Sequence, residues 1–238
     1  MLKKPINQET KTKILLSAKK IFAQKGFAGA RMDAIARESG VNKAMLHYYF
    51  GSKDHLYHEV ILHLVNLGQK GDFDMNIIHD GWTASQKLTA AIYCIVYMHF
   101  DALDDDFHRI IAWDFAEGKN SMKMLAKNYF APGLARLEKI VVEGIQNGEF
   151  ESKNPALSVW SFVIFIIAYI NQQEIYKNTE IYSRLYGSNS KEMIMNFLLN
   201  HMFKSLSINK QKIPEIPSEV IQYFKTHVLD VKSNQENK

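Results

Sequence analysis

Residues 40–60 read GVNKAMLHYYFGSKDHLYHEV. From Asn42 to Phe50 the stretch has the length of a short helix, opened by a capping asparagine and stopped at Gly51. Only Leu46 and, four residues on, Phe50 demand burial, and they share one face. Lys43, Ala44, Met45, His47 and Tyr48 are left pointing the other way. Upstream, Met32, Ile35 and Ala36 lead to Gly40 as another short helix. A glycine-containing turn of about three residues sets two such helices at a steep angle, the helix-turn-helix arrangement. Ala36 is small where the helices cross, Gly40 takes a backbone conformation costly for other residues, and Leu46 packs back into the core. The exposed flank of the third helix then has the width and chemistry to enter a DNA major groove, and its N-terminus favours phosphates.

Working outward, Ile14, Leu15, Ala18, Ile21 and Phe22 make a helical stripe that starts at Thr10 as cap and stops at Gly26. Ser52 precedes a fourth helix with Leu56, Val60, Leu64 and Leu67 on one face, followed by a break over residues 68–81. Later helices are predicted near 84–103, 107–117, 120–128, 132–147, 155–177 and 188–206. The tail after Ser207 carries Pro214 and Pro217, the amphipathic segment SEVIQYFKTHVLD, and a polar end, KSNQENK, read as disordered. Sustained period-two alternation is absent, so the fold class is all-α.

The chain has 238 residues, 47% hydrophobic and 23% charged, enough for a sizeable core. Residues 1–60 hold eleven Lys/Arg against five Asp/Glu, whereas residues 61–238 hold eighteen against twenty. A basic first quarter with a slightly acidic remainder is the footprint of a polyanion-binding module joined to a larger unit. The longest apolar run, 156–170, is shorter than the roughly 20 residues a membrane helix needs, and it contains Ser158 and Ser161. No apolar stretch follows the first lysines, so a cytoplasmic protein without membrane partners is expected. Cys94, within AIYCIVYM, reads as a small buried hydrophobe.

The stretches ILLSAKKIFAQKGF (14–27), MDAIARESGV (32–41) and NKAMLHYYFGSKDHLY (42–57) resemble, in order and spacing, the N-terminal module of the TetR family of bacterial transcriptional regulators. A weaker echo, ARLEKIVVEGIQNGEFESKNPA (135–156), is similar to the family's seventh helix, its glycine stop and the start of the eighth. The resemblance implies a three-helix helix-turn-helix module (1–52, with 53–67 as connecting helix), a larger helical ligand-binding and dimerisation domain (68–207), and a C-terminal extension (208–238). It implies a homodimer that binds a double-stranded operator, with no cofactor. Asn42, Lys43, Ala44, Met45, His47, Tyr48 and Tyr49 fall where the family touches DNA, and Lys53 where it holds a phosphate. Where the family places two hydroxyl residues before the second helix, this chain has Ala30 and Arg31, and Arg31 is placed to meet the phosphate itself.

For the larger domain, composition and analogy point to an apolar or aromatic small-molecule effector held among Tyr93, Tyr97, Phe100, Trp113, Tyr129, Phe165 and Tyr169. Dimerisation is assigned to Trp160, Ile164 and Ile167 on one helix and Ile194, Phe197 and Leu198 on the next, because both helices are oily on more than one side. His55 and His58 with Glu59 lack the H-E-x-x-H order of a metal site, and Asp104, Asp105 and Asp106 lack the glycine and distal glutamate of a calcium loop. No phosphate loop, nucleophile elbow or paired-acid motif is found, so no enzyme is expected. The expected function is a repressor released from its operator by the effector. The alternative is a helical small-molecule binding protein or enzyme with a vestigial DNA-binding module.

Overall fold

A computed structural model describes residues 7–70, 77–118, 120–208 and 213–227. Among them the regular structure is helical, with one isolated bridge between Phe150 and Ser207. No helix among them is long and apolar enough to cross a membrane. The chain divides into two compact units, residues 1–67 with 105–125, and residues 68–104 with 126–238.

In the first unit, α1 (Gln8–Gly29), α2 (Met32–Ser39), α3 (Lys43–Phe50) and α4 (Lys53–Lys70) follow one another, and α6 (Asp105–Glu117) and α7 (Asn120–Leu125) join them. Two expectations for α1 are corrected. Its cap is Asn7, whose side chain accepts from the N–H groups of Glu9 and Thr10, so Thr10 lies inside the first turn. Nor does the helix stop at Gly26: the backbone kinks there at φ 63° and resumes to Gly29. A Cβ on Gly26 would lie 2.6 Å from Glu117 Oε1 and 3.0 Å from Trp113, so the kink makes room for α6.

That close approach explains why residues 105–125 group here, where the sequence reading assigned them to the larger domain. Trp113 Nε1–H donates to the Ala23 carbonyl at 3.1 Å, and the Ala28 N–H donates to Glu117 at 3.3 Å. The buried Asp114 accepts from the hydroxyls of Tyr57 and Ser121, the latter at 2.6 Å. Burial and the Asp114 bond push the Tyr57 hydroxyl far above its ordinary range, so it remains a donor. The Tyr57 ring packs edge-on to Phe22 and Phe27. The predicted break of residues 68–81 starts later than expected, since α4 continues to Lys70 and α5 begins at Ala84; residues 71–76 lie outside the described range.

The second unit is built around α5 (Ala84–Tyr97), which is buried nearly all round, as a central helix must be. Its start is secured by a capping box between Thr83 and Gln86, and by Glu149, whose carboxylate accepts from the N–H groups of Ala84 and Ser85 at 3.0 and 2.9 Å. The helix continues as a π-helical turn, Met98–Ala102. Another π-helical turn, Ala126–Phe130, leads into α8 (Ala131–Gln146). Then come α9 (Pro155–Asn171), α10 (Gln173–Tyr176), α11 (Tyr182–Tyr186), α12 (Ser190–Leu206) and α13 (Ser218–His227). The expected 155–177 helix is thus two pieces, because the chain turns between Asn171 and Gln173. The amphipathic tail segment does form a helix; it buries Val220 and Phe224 in this unit's core, and the polar end lies outside the described residues. Cys94 is buried, which pushes its thiol up to about 12 and leaves it an inert core group.

Candidate nucleic-acid interface

The turn between α2 and α3 is set by backbone hydrogen bonds. Gly40 is left-handed (φ 66°), its N–H donates to Arg37 at 3.2 Å, and the N–H of Val41 donates to Ala36 at 3.1 Å. This paired pattern closes a helix only where the residue after the end has positive φ, which glycine adopts without strain. Ser39 is fully buried and its hydroxyl donates back to Ile35 and Ala36, so this buried polar group is satisfied within the turn. Residue Asn42 caps α3 by accepting the Met45 N–H at 2.7 Å.

Leu46 and Phe50 are the buried residues of α3, at 0% and 1% exposure. Asn42, Lys43, Ala44, Met45, His47 and Tyr48 are all exposed, and Tyr48 stands edge-on to the half-buried Tyr49. Arg31 is exposed at the start of α2 and provides no side-chain cap. All nine residues assigned to DNA are thus exposed or half-buried, and seven of them lie on α3 or at its cap. The Lys43 ammonium pairs with Asp33 on α2 at 2.8 Å, a residue the sequence reading passed over. The hydrogen bond and charge of Lys43 hold the Asp33 carboxyl below its ordinary range. An exposed pair of this kind is weakly held, so an arriving phosphate or base can take the lysine over.

Lys53 is half-buried at the start of α4. Its ammonium donates to the carbonyls of Phe27 and Ala30 at 2.7 and 2.9 Å, reaches that of Ala28 at 3.5 Å, and lies over the Phe27 ring. Three donors meet three carbonyls that the end of α1 leaves without helical partners. Its side chain therefore ties α4 to α1, at the position where the resemblance implies a phosphate contact.

The residues assigned to an effector do not form one cluster. Tyr93 and Tyr97 stack at 4.2 Å, with Phe224 of α13 against both, and Lys191 Nζ lies 3.9 Å from the Tyr97 ring centre while pairing with Asp101 at 2.8 Å. Phe100 and Phe165 each approach Tyr169, which also meets Tyr186. Trp113 belongs to the first unit, against α1, and is removed from the set because its indole N–H is spent on Ala23. Tyr129, on the π-helical turn before α8, has no ring contact with the others.

The assigned dimer residues divide by burial. Trp160 and Phe197 are half exposed, Ile164 is exposed and Ile167 half-buried, whereas Ile194 and Leu198 are 3% and 1% exposed. The last two are core residues of their own chain, and that part of the assignment is corrected: α12 turns them inward and Phe197 outward. Phe165, assigned to the effector, is exposed and stacks on Phe197 at 5.2 Å, so it joins the outer patch. A groove of about 360 Å³ beside Trp160 is lined by Leu134, Glu138, Ala156, Leu157 and Val159.

Residues 14–60 match the family described as bacterial regulatory proteins, tetR family. The chain is 31% identical over 91 residues to the HTH-type transcriptional repressor NicS of Pseudomonas putida, covering 38% of this chain and 43% of that repressor. It is 42% identical over 57 residues to the HTH-type transcriptional regulator RutR of Escherichia coli, covering 24% and 27%. These alignments thus span less than half the length of the curated relatives. Solved structures show likeness of fold at low identity. One is a transcriptional regulator from Saccharomonospora viridis in complex with choline (TM-score 0.63, 18% identity, 83% of this chain and 97% of that one). Another is FadR from Bacillus subtilis in complex with stearoyl-CoA (TM-score 0.56, 17% identity, 79% and 96%).

Proposed function

The chain belongs to the tetR family of bacterial regulatory proteins, and on that premise we propose that it is a repressor whose α3 reads an operator and whose second unit binds a small effector that releases it. The observation that carries this is the division of α3, anchored from behind by Leu46 and Phe50 while its opposite flank, from Lys43 to Tyr48, meets solvent. The excess of cationic residues in the first sixty positions supplies the attraction to phosphates that precedes any reading of sequence. The relatives matched in sequence are named as regulators rather than enzymes. The choline and stearoyl-CoA in two proteins of like fold support a small-molecule role for the helical unit, with the aromatic groups around Tyr97 and Tyr169 as lining.

A second copy of the chain covers the patch of Trp160, Ile164, Phe165 and Phe197, because an apolar surface of this kind on a pair of adjacent helices is stable in water only when buried. The two α3 helices of such a pair then address half-sites about 34–36 Å apart. The test is a mobility shift at fixed salt with Lys43→Ala combined with Tyr48→Ala. Loss of operator binding with an unchanged unfolding midpoint is expected, and unchanged affinity would remove the reading. For the intact protein the logarithm of affinity should fall linearly with the logarithm of salt, because bound phosphates release their counterions.

A further inference from the structure

Two internal hydrogen bonds on α3 decide in which direction hydrogen bonds to DNA can run. The first involves His47, whose Nδ1 lies 2.7 Å from the Gly51 carbonyl oxygen. A carbonyl oxygen only accepts, so the proton of the contact sits on Nδ1. In the neutral imidazole Nε2 then carries a lone pair and no hydrogen.

The contact is held by an unusual backbone. Gly51 has φ 69° and ψ −66°, and the Ser52 N–H donates to Phe50 at 2.7 Å, which together make a three-residue turn of the rare, positive-φ kind that favours glycine. The turn swings the Gly51 carbonyl back onto His47 while the Gly51 N–H donates to the His47 carbonyl at 2.8 Å, so ring and backbone are clasped from both ends. No atom lies within 4 Å of where a Gly51 Cβ would stand, so the glycine answers to the backbone angle and not to crowding. Glycine adopts this positive-φ turn without strain, and the turn fixes an exposed side chain on the outer flank of α3. The second bond is the cap: Asn42 Oδ1 accepts the Met45 N–H at 2.7 Å, which turns its amide NH2 away from the helix.

We propose that His47 reads the major groove as a hydrogen-bond acceptor, taking the groove-facing amino hydrogen of a cytosine (N4) or an adenine (N6), while Asn42 beside it acts as a donor. In the groove those amino groups are the donors a lone pair can address, whereas purine N7, guanine O6 and thymine O4 are acceptors that would meet Nε2 unfavourably. The inference rests on α3 being the reading helix, and it adds the polarity of the contact.

The test uses the full-length protein at about pH 8, where histidine side chains are ordinarily neutral, and an operator obtained by selection from random duplexes. Each base of a half-site is replaced in turn. N4-methylcytosine and N6-methyladenine keep base pairing but put a methyl group where the groove-facing amino hydrogen was, and 7-deazapurines remove the N7 acceptor. One amino methylation per half-site is expected to weaken the wild-type protein by roughly tenfold, as for loss of a buried hydrogen bond, and to leave His47→Ala binding unchanged. The proposal is overturned if a 7-deaza substitution is the one coupled to His47, or if no base modification is coupled to it. Failure of the underlying reading looks different: selection then yields no sequence, or the Lys43→Ala, Tyr48→Ala protein binds as well as the wild type, and the proposal falls with it.

Discussion

At the scale of single residues, Lys53 and Asn42 show how one local bond redefines a side chain. Lys53 lies where the family resemblance implies a phosphate contact, but its ammonium is spent on carbonyls at the end of α1. Lys53→Met should therefore lower the free energy of unfolding by about 1–2 kcal/mol, as for partly exposed hydrogen bonds to a charged group, measured by urea titration. The salt slope of operator binding should stay the same; a slope smaller by about one would restore the phosphate role. Asn42 does two things at once. Asn42→Asp retains a cap acceptor for Met45, so the thermal midpoint should hold, while an acceptor replaces the outward donor. Operator affinity should drop at least tenfold by the loss of that donor and by phosphate repulsion, read by fluorescence anisotropy. His47 and its proton position were not legible in the chain, since the Gly51 carbonyl reaches the ring only through the turn geometry.

At the scale of helices and their joints, the end of α8 is the informative case. Gly144 is buried, and a Cβ there would sit 2.1 Å from the Phe150 ring, itself almost wholly buried. The chain turns back after Gly148 (φ 74°), with the Glu149 N–H bonded to Gly144 at 2.8 Å, so the ring cannot retreat without breaking the turn. Gly144→Ala should destabilise by about 1–3 kcal/mol, the usual effect of overpacking, seen as a lower denaturant midpoint. Glu149 holds the start of α5. Burial raises its pKa, but hydrogen bonds from Ser85 and Ala84 and the charge of Lys87 outweigh that, and the net value lies below its ordinary 4.5. A carboxyl with a depressed folded value adds stability above the unfolded value and loses it as pH falls through the folded one. The gap in unfolding midpoint between wild type and Glu149→Gln should accordingly be constant near neutral pH and close below about pH 4.5, by thermal scans across pH. Helix existence was readable along most of the chain because apolar spacing and caps are local properties. The kink at Gly26 was not, since what demands it is Glu117 and Trp113, about ninety residues away in sequence.

At the scale of the whole molecule, assembly is the question. The outer faces of α9 and α12 carry Trp160 at 50% and Phe197 at 49% exposure, with Phe165 stacked on the latter. Light scattering at micromolar concentration should report a dimer for the wild type and a monomer for Trp160→Glu combined with Phe197→Glu. Leu198→Ala acts inside the chain instead, and should remove about 2–5 kcal/mol of folding stability, as for other buried leucines. The residue types alone decided that the chain is helical, that its first quarter is basic, and that Leu46 anchors a short helix with an outward flank. These follow from periodicity, capping and charge, each carried by neighbours within a turn or two. Tertiary structure alone decided that residues 105–125 group with the first four helices, that Ile194 and Leu198 point inward while Phe165 points outward, and that Lys53 faces carbonyls. A helix that is apolar on several sides does not say which side its own chain will cover, and a cation does not say which acceptors will surround it; packing between distant segments settles both.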